Sequence, residues 1–319
     1  TPAQARADLQ ATLDELMTVA RPRGIKVISS GTHPFSIARN QDVSPSPRYH
    51  DLVESMQWPA RRLLICGMHV HVGVPDGSHA IAIINELQRY LPVFLALSSS
   101  SPYFEGEDSG LASARSKVFE ALPTAGLPPQ LADWVDFEAF MSTLLDSECI
   151  SSIREVWWDI RPHPDFGTVE LRMCDATPTL REAVALAGLA QTLVAWCLDR
   201  HRAGQLPTPP REWTVRENRW LASRYGTEAR LIVEGVGADD KPQRRALTEL
   251  VHELLDMLEG TAQTLGTQNE LSDVARILDE GSGTERQRRL VKGGATLVDV
   301  VHHLADELAS DRAPWRSPA

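Results

Sequence analysis

The sequence predicts an α+β fold with strands gathered in its first half and helices filling its second. Residues 66–74 read Cys-Gly-Met-His-Val-His-Val-Gly-Val, the alternation of apolar and polar side chains that marks a half-buried strand. Two further strand-like runs, 155–162 and 167–175, are separated only by His163-Pro164-Asp165-Phe166. So short a link permits a hairpin and excludes a parallel crossover, so these strands should be antiparallel neighbours. From residue 180 onward the apolar residues recur at helical spacing. The simplest organisation is a single domain over 1–319, with a sheet-bearing part at 1–178 and a helical part at 179–319.

In chain order, Leu9, Leu13, Leu16, Met17 and Ala20 predict a helix over residues 2–22, and Gly24 then releases the chain into a short strand at 25–29. A polar, proline-bearing loop is expected over 40–50. After the His-x-His strand, Pro75-Asp76-Gly77 makes a turn, and Asp76 or Ser78 can cap a long helix to about residue 98. Ser98 to Ser101 reads as a serine-rich helix end, since no GxxxxGK[ST] phosphate loop accompanies it. A crossing to Gly110 precedes a helix over 111–122. Beyond the hairpin, helices are expected over 180–200, 219–225, 244–265, 270–278, 284–290 and 297–308, with Pro207-Thr208-Pro209-Pro210 as a break. Ser282 or Thr284 should cap the helix that follows Gly281. No internal repeat is visible.

Composition narrows the functional classes. The chain has 319 residues, 42% hydrophobic and 24% charged, within the range of ordinary globular proteins. Forty-three acidic against 32 basic residues give a formal charge of −11, which disfavours nucleic acid and anionic membrane as partners. No run of about 18 apolar residues and no signal-peptide pattern is present. Cys66, Cys149, Cys174 and Cys197 show neither CxxC spacing nor disulfide density. They read as reduced thiols in or beside buried elements, and a cytoplasmic location is expected.

Strand parity points to a site. Met68, Val70 and Val72 share one face of the first strand, leaving His69 and His71 on the other. Trp158 and Ile160 oppose Asp159 and Arg161, and Val169, Leu171 and Met173 oppose Glu170 and Arg172. Three strands therefore each aim a polar pair at one face. Carboxylate and imidazole can hold a divalent cation while guanidinium forks neutralise phosphate oxygens, as metal-assisted phosphoryl chemistry needs. A solvated face with cross-strand ion pairs is the alternative, and a Zn2+-dependent hydrolase built on His69, His71, Glu170 and Asp159 is another. His33, before Pro34, is either a substrate or metal contact or a structural turn. Arg115 is either a bidentate carboxylate ligand or an exposed helix arginine.

These residues resemble a known family. Gly67-Met68-His69-Val70-His71, Gly167-Thr168-Val169-Glu170-Leu171-Arg172, Gly31-Thr32-His33-Pro34 and Trp157-Trp158-Asp159-Ile160-Arg161-Pro162 look like motifs of the ATP-dependent carboxylate-amine ligases called glutamate-cysteine ligase type 2. The likeness extends through Leu95-Ala96-Leu97-Ser98-Ser99-Ser100-Ser101-Pro102, Gly110-Leu111-Ala112-Ser113-Ala114-Arg115 and Gly283-Thr284-Glu285-Arg286-Gln287-Arg288. It implies a glutamine synthetase-like fold, a curved, mainly antiparallel sheet with helices on one face, and ATP and Mg2+ as cofactors. It further implies His69 and Glu170 on a metal ion, Arg172 and Arg161 as catalytic arginines with Arg172 on the transferring phosphate, and His71 on the nucleotide side. His33, Arg115 and Asp159 would then meet the amino-acid substrates. The implied reaction joins glutamate to cysteine or another amine through an acyl phosphate, and the resemblance admits a homodimer. Members of that family open on two acidic strands, whereas Thr1 opens directly on the first helix, so a site short of carboxylates is expected. A non-catalytic protein that has lost metal ligands is the corresponding rival.

Overall fold

A computed structural model describes residues 1–235 and 241–311. Helix α1 (Pro2–Ala20) starts at a capping box, Thr1 Oγ1 accepting from the Gln4 amide at 3.3 Å, and ends through a 3₁₀ turn at Gly24, whose φ of 67° favours glycine. The strand expected at 25–29 belongs to no ladder. Alternation is present but no neighbour pairs with it, and bridging begins only at Thr32, opposite Ile65. Within the polar segment expected to be a loop, Ser46-Pro47 starts helix α2 (Pro47–Met56).

Strand β1 (Val70–Gly73) is followed by α3 (Gly77–Leu87), capped by Asp76, which accepts from the His79 amide at 3.0 Å. The single helix expected to reach residue 98 is two. A 3₁₀ turn at Gln88–Tyr90 separates α3 from α4 (Leu91–Ser98), where Pro92 supplies no amide and is accepted only in a first turn. The two-residue strands β2 (Tyr103–Phe104) and β3 (Glu107–Asp108) form a small hairpin, and α5 (Ala114–Phe119) is half the expected length. Helix α6 (Trp134–Asp146) was not anticipated, although Trp134, Phe137, Phe140, Met141 and Leu144 recur at helical spacing; with Trp158 they make a satellite cluster.

The hairpin is β4 (Ile160–His163) with β5 (Thr168–Leu171), shorter than expected because Glu155 lies in a 3₁₀ turn and Trp158 bridges to Gly126 rather than to β5. The helical half follows: α7 (Leu180–Arg202), α8 (Glu212–Tyr225), the paired strands β6 (Arg230–Val233) and β7 (Gln243–Ala246), then α9 (Leu247–Leu265), α10 (Gln268–Glu280), α11 (Gly283–Lys292) and α12 (Leu297–Ser310). Pairing with β6 is why α9 starts at 247 rather than 244.

The three-stranded sheet has the order β1-β5-β4, antiparallel throughout, as the short link requires. Its apolar face, with Val70, Ile160, Val169 and Leu171, packs against α3 and α7. One core draws on both halves of the chain, from Phe94 and Leu95 through Leu189 and Leu193 to Leu258 and Val274. The stretches Gly77–Ser98 and Leu180–Arg202 are long and apolar enough to cross a membrane by composition, but 78% and 61% of their apolar windows lie inside the fold. They are core helices here. Cys174 and Cys197 are buried as expected, whereas Cys66 and Cys149 are exposed.

Candidate functional site: the polar face of the β1-β5-β4 sheet

Register brings the polar residues into rows. His71, Glu170 and Arg161 lie opposite one another across the three strands, and Gly73, Thr168 and His163 form the next row towards the hairpin. On the other side, the Arg172 amide donates to the Asp159 carbonyl at 2.7 Å, and Arg172 Nη1 lies 3.3 Å from His69 Nδ1. Parity therefore did place His69, His71, Glu170, Arg161 and Arg172 together.

Glu170 is the hub. It is 2% exposed, accepts from Arg161 Nε at 2.7 Å and from Arg172 Nη1, and has His69 Nδ1 at 3.2 Å and His71 Nε2 at 3.5 Å. Burial by itself would raise this carboxyl, but hydrogen bonds from both histidines and the charges of both arginines hold it far below the usual carboxylate range. The hydrogen bond to Glu170 favours a charged His69, yet burial and the Arg172 and Arg115 guanidiniums prevail and keep it below its ordinary value. His69 is thus neutral near pH 7. Arg161 also donates through Nη1 to the Val156 carbonyl at 2.6 Å and to that of Ile153, which ties it to the preceding loop. Arg172 Nε is buried with no partner among the described residues, an unspent donor beside a face with more positive charge than negative.

Sequence reasoning passed over His163. It is buried, stacks on Phe166 at 4.3 Å and 8°, and lies 5.5 Å from the His71 ring. His71 Nδ1 reaches Thr168 Oγ1 at 3.0 Å. Beside these rings Gly73 has open space where a side chain would stand, and Phe166 is 67% exposed. The signal was available, because His163 continues the parity of Asp159 and Arg161.

Three expected substrate residues are otherwise engaged. Arg115 is buried and donates to the Arg172 and Met173 carbonyls at 3.2 and 3.1 Å, with Asp175 3.7 Å away. Three residues lie between Leu171 and Asp175 where two lie between Gly67 and Val70, so the β5 side carries one extra residue, as at a bulge. Arg115 occupies the carbonyls that this irregularity leaves unpaired; it is neither an exposed helix arginine nor free to clamp a ligand. The carboxylate of Asp159 is held by Arg219 Nε and, at 3.2 Å, Nη2. His33 Nδ1 accepts from the Ser36 amide at 3.1 Å and the Phe35 amide at 3.4 Å, which makes it a turn residue. The serine segment serves structure too: Ser100 N, Ser101 Oγ and Ser113 Oγ donate to the fully buried Asp175 at 3.0, 2.7 and 2.8 Å. Ser282 caps α11, its amide donating to Glu285 at 2.7 Å.

Among the described residues no group of three or more His, Cys, Asp or Glu side chains is arranged to hold a metal ion. Glu170 already accepts from two guanidiniums, and Mg2+ demands several oxygens in near-octahedral array. The residues present do not fit a hard cation, and with Asp159 engaged by Arg219 they do not compose the Zn2+ set either.

The family model for glutamate-cysteine ligase family 2 (GCS2) matches residues 1–303. The chain is 49% identical over 304 residues to “Putative glutamate-cysteine ligase 2” of Thermobifida fusca (strain YX), covering 95% of this chain and 75% of that protein. It is 51% identical over 315 residues to “Putative glutamate-cysteine ligase 2-1” of Frankia casuarinae, covering 97% and 80%. Among solved structures it is similar to a glutamate-cysteine ligase from Francisella tularensis in complex with AMP, with TM-score 0.52, 11% identity, and coverage of 82% of this chain and 61% of that one. At that identity the likeness is one of fold, and the chain spans less than two thirds of that protein. With its family match running from Thr1 through residue 303, and relatives near half identity, this chain belongs to glutamate-cysteine ligase family 2.

Proposed function

We propose that the protein is an ATP-dependent carboxylate-amine ligase that joins glutamate to cysteine. The observation that carries this reading, beside the family, is the cationic sheet face: Arg161 and Arg172 around one buried carboxylate, with Arg172 Nε unspent. Such a face suits the negative charge spread over a transferring phosphoryl group. In the reaction the glutamate side-chain carboxylate attacks the γ-phosphorus of ATP and ADP leaves. The cysteine amine then attacks the acyl phosphate, and phosphate and a proton depart as the amide forms. Arg172 faces the phosphoryl oxygens in this reading, Arg161 fixes Glu170 beneath it, and His71, His163 and Phe166 flank the open space over Gly73 on the nucleotide side. Mg2+ would have to come bound to the nucleotide, and none of the roles given to these residues runs through it. The amino acids are the expected small-molecule partners, in a cytoplasmic, thiol-reducing setting.

The test is ADP release measured with glutamate alone, cysteine alone and both. Peptide and ADP should appear one for one only when both are present, and Arg172→Gln should lower the rate about 100-fold or more. ATP consumption indifferent to either amino acid would sink the reading.

A further inference from the structure

Arg219, from α8, does not touch the row centred on Glu170, yet three of its nitrogens are spent beneath the site. Nε and Nη2 hold Asp159, and Nη1 reaches Glu120 Oε1 at 3.0 Å. Arg219 is 4% exposed and Asp159 2%. Both backbone groups of Asp159 are bonded as well: its amide donates to the Gly126 carbonyl at 2.6 Å, and its carbonyl accepts from the Arg172 amide at 2.7 Å. Asp159 is therefore a buried anion attached directly to the main chain of Arg172, and a residue of a distant helix neutralises it. A buried carboxylate without a partner seeks the nearest cation. Here the residue that carries the carboxylate is bonded through its carbonyl to the Arg172 amide, so a shift of Asp159 moves the backbone of Arg172.

Resting on the ligase reading above, we propose that Arg219 is a positioning residue that sequesters the Asp159 carboxylate, so that the Arg172 backbone, and with it the guanidinium on Glu170, keeps its place at the site. Arg219 makes no contact with substrate. Its removal leaves the Asp159 carboxylate buried without its cation, and the rearrangement this forces loosens the Asp159 peptide that accepts from the Arg172 amide. The sequence hides this device, because Arg219 lies sixty positions beyond Asp159.

The experiment compares wild type, Arg219→Gln and the double variant Arg219→Gln/Asp159→Asn. The expected result is a roughly 100-fold loss of turnover in Arg219→Gln, weaker binding of the ATP analogue AMP-PNP by calorimetry, and recovery to within about tenfold of wild type when Asp159→Asn removes the buried charge. Failure of the double variant to recover, with both variants folded by circular dichroism, overturns the proposal, and so does a loss of turnover in Arg219→Gln that only follows its loss of stability in urea, the result a purely structural ion pair would give. Should wild type itself neither turn over nor bind AMP-PNP, the ligase reading falls separately. The device is then judged by hydrogen exchange at the Arg172 amide, which should quicken at least tenfold in Arg219→Gln and slow again in the double variant. Unchanged exchange overturns it.

Discussion

Gly67 shows how one missing Cβ fixes a site. A methyl group there would stand 2.0 Å from Arg115 Nη2 and 2.5 Å from its Cζ, and no positive φ is involved, so the constraint is purely one of space. Gly67→Ala should expel the guanidinium from the Arg172 and Met173 carbonyls and leave buried acceptors unpaired, a loss of about 2 kcal/mol or more. Urea unfolding measures it, and a change below about 0.5 kcal/mol would contradict the role given to Arg115. At this scale the sequence is half legible. Parity finds His69, His71, Glu170, Arg161 and Arg172, because direction along a strand is set locally. The partners of Arg115, Asp159 and His33 are not legible, because burial turns a residue of catalytic type into a structural one and burial is a property of the whole fold.

Among the elements, α7 best joins the helical half to the sheet. Its capping box is complete: Thr179 Oγ1 accepts from the Glu182 amide at 3.2 Å, and the Glu182 carboxylate accepts from the Thr179 amide at 3.1 Å. The same carboxylate takes Arg286 Nη1 at 2.8 Å, and Arg286 continues to Glu307 on α12 at 2.7 Å. One helix start therefore anchors three helices. Thr179→Ala should cost about 1–2 kcal/mol, at the upper end for a cap because Glu182 also loses a partner; a chemical-denaturation midpoint equal to wild type would show the box to be idle. Helix α7 was readable from its spacing and from Thr179-x-x-Glu182. The split between α3 and α4 was signalled by Pro92 but masked by a continuous apolar run, and residues 25–29 show the converse limit, where strand-like patterning meets no partner strand.

For the whole molecule, buried ionisable groups set the response to acid. Burial holds His163 and His33 below the ordinary histidine value, and His69 is also low, so the unfolded chain takes up protons below about pH 6.5 that the folded chain refuses. Stability should decline as pH falls through that value. Glu170, Glu120 and Glu307 are drawn below the carboxylate range by ion pairs that overcome burial; their stabilisation is complete above about pH 4.3 and lost progressively beneath it. Asp175, pushed up by burial, opposes this trend. Denaturation midpoints at pH 8, 5.5 and 3.5 should fall in that order, and a midpoint rising between pH 8 and 5.5 would refute the assignment. Periodicity read the long helix α7 and those after α8, but not the β6–β7 pair among them, and the ion pairs Arg219 to Asp159 and Arg286 to Glu182 join residues far apart in sequence.

The hairpin at Pro164–Phe166 also bears on how such a protein can vary. Antiparallel strands of four residues have no spare length, and a slip of one position would exchange the faces of β5, sending Glu170 into the core and Leu171 to the surface. One residue gained or lost in that turn is therefore equivalent to rewriting the whole polar face at once. Length changes should be absent from this turn among functional descendants and tolerated instead in the surface excursion over residues 33–62, whose helix α2 contributes nothing to the buried core.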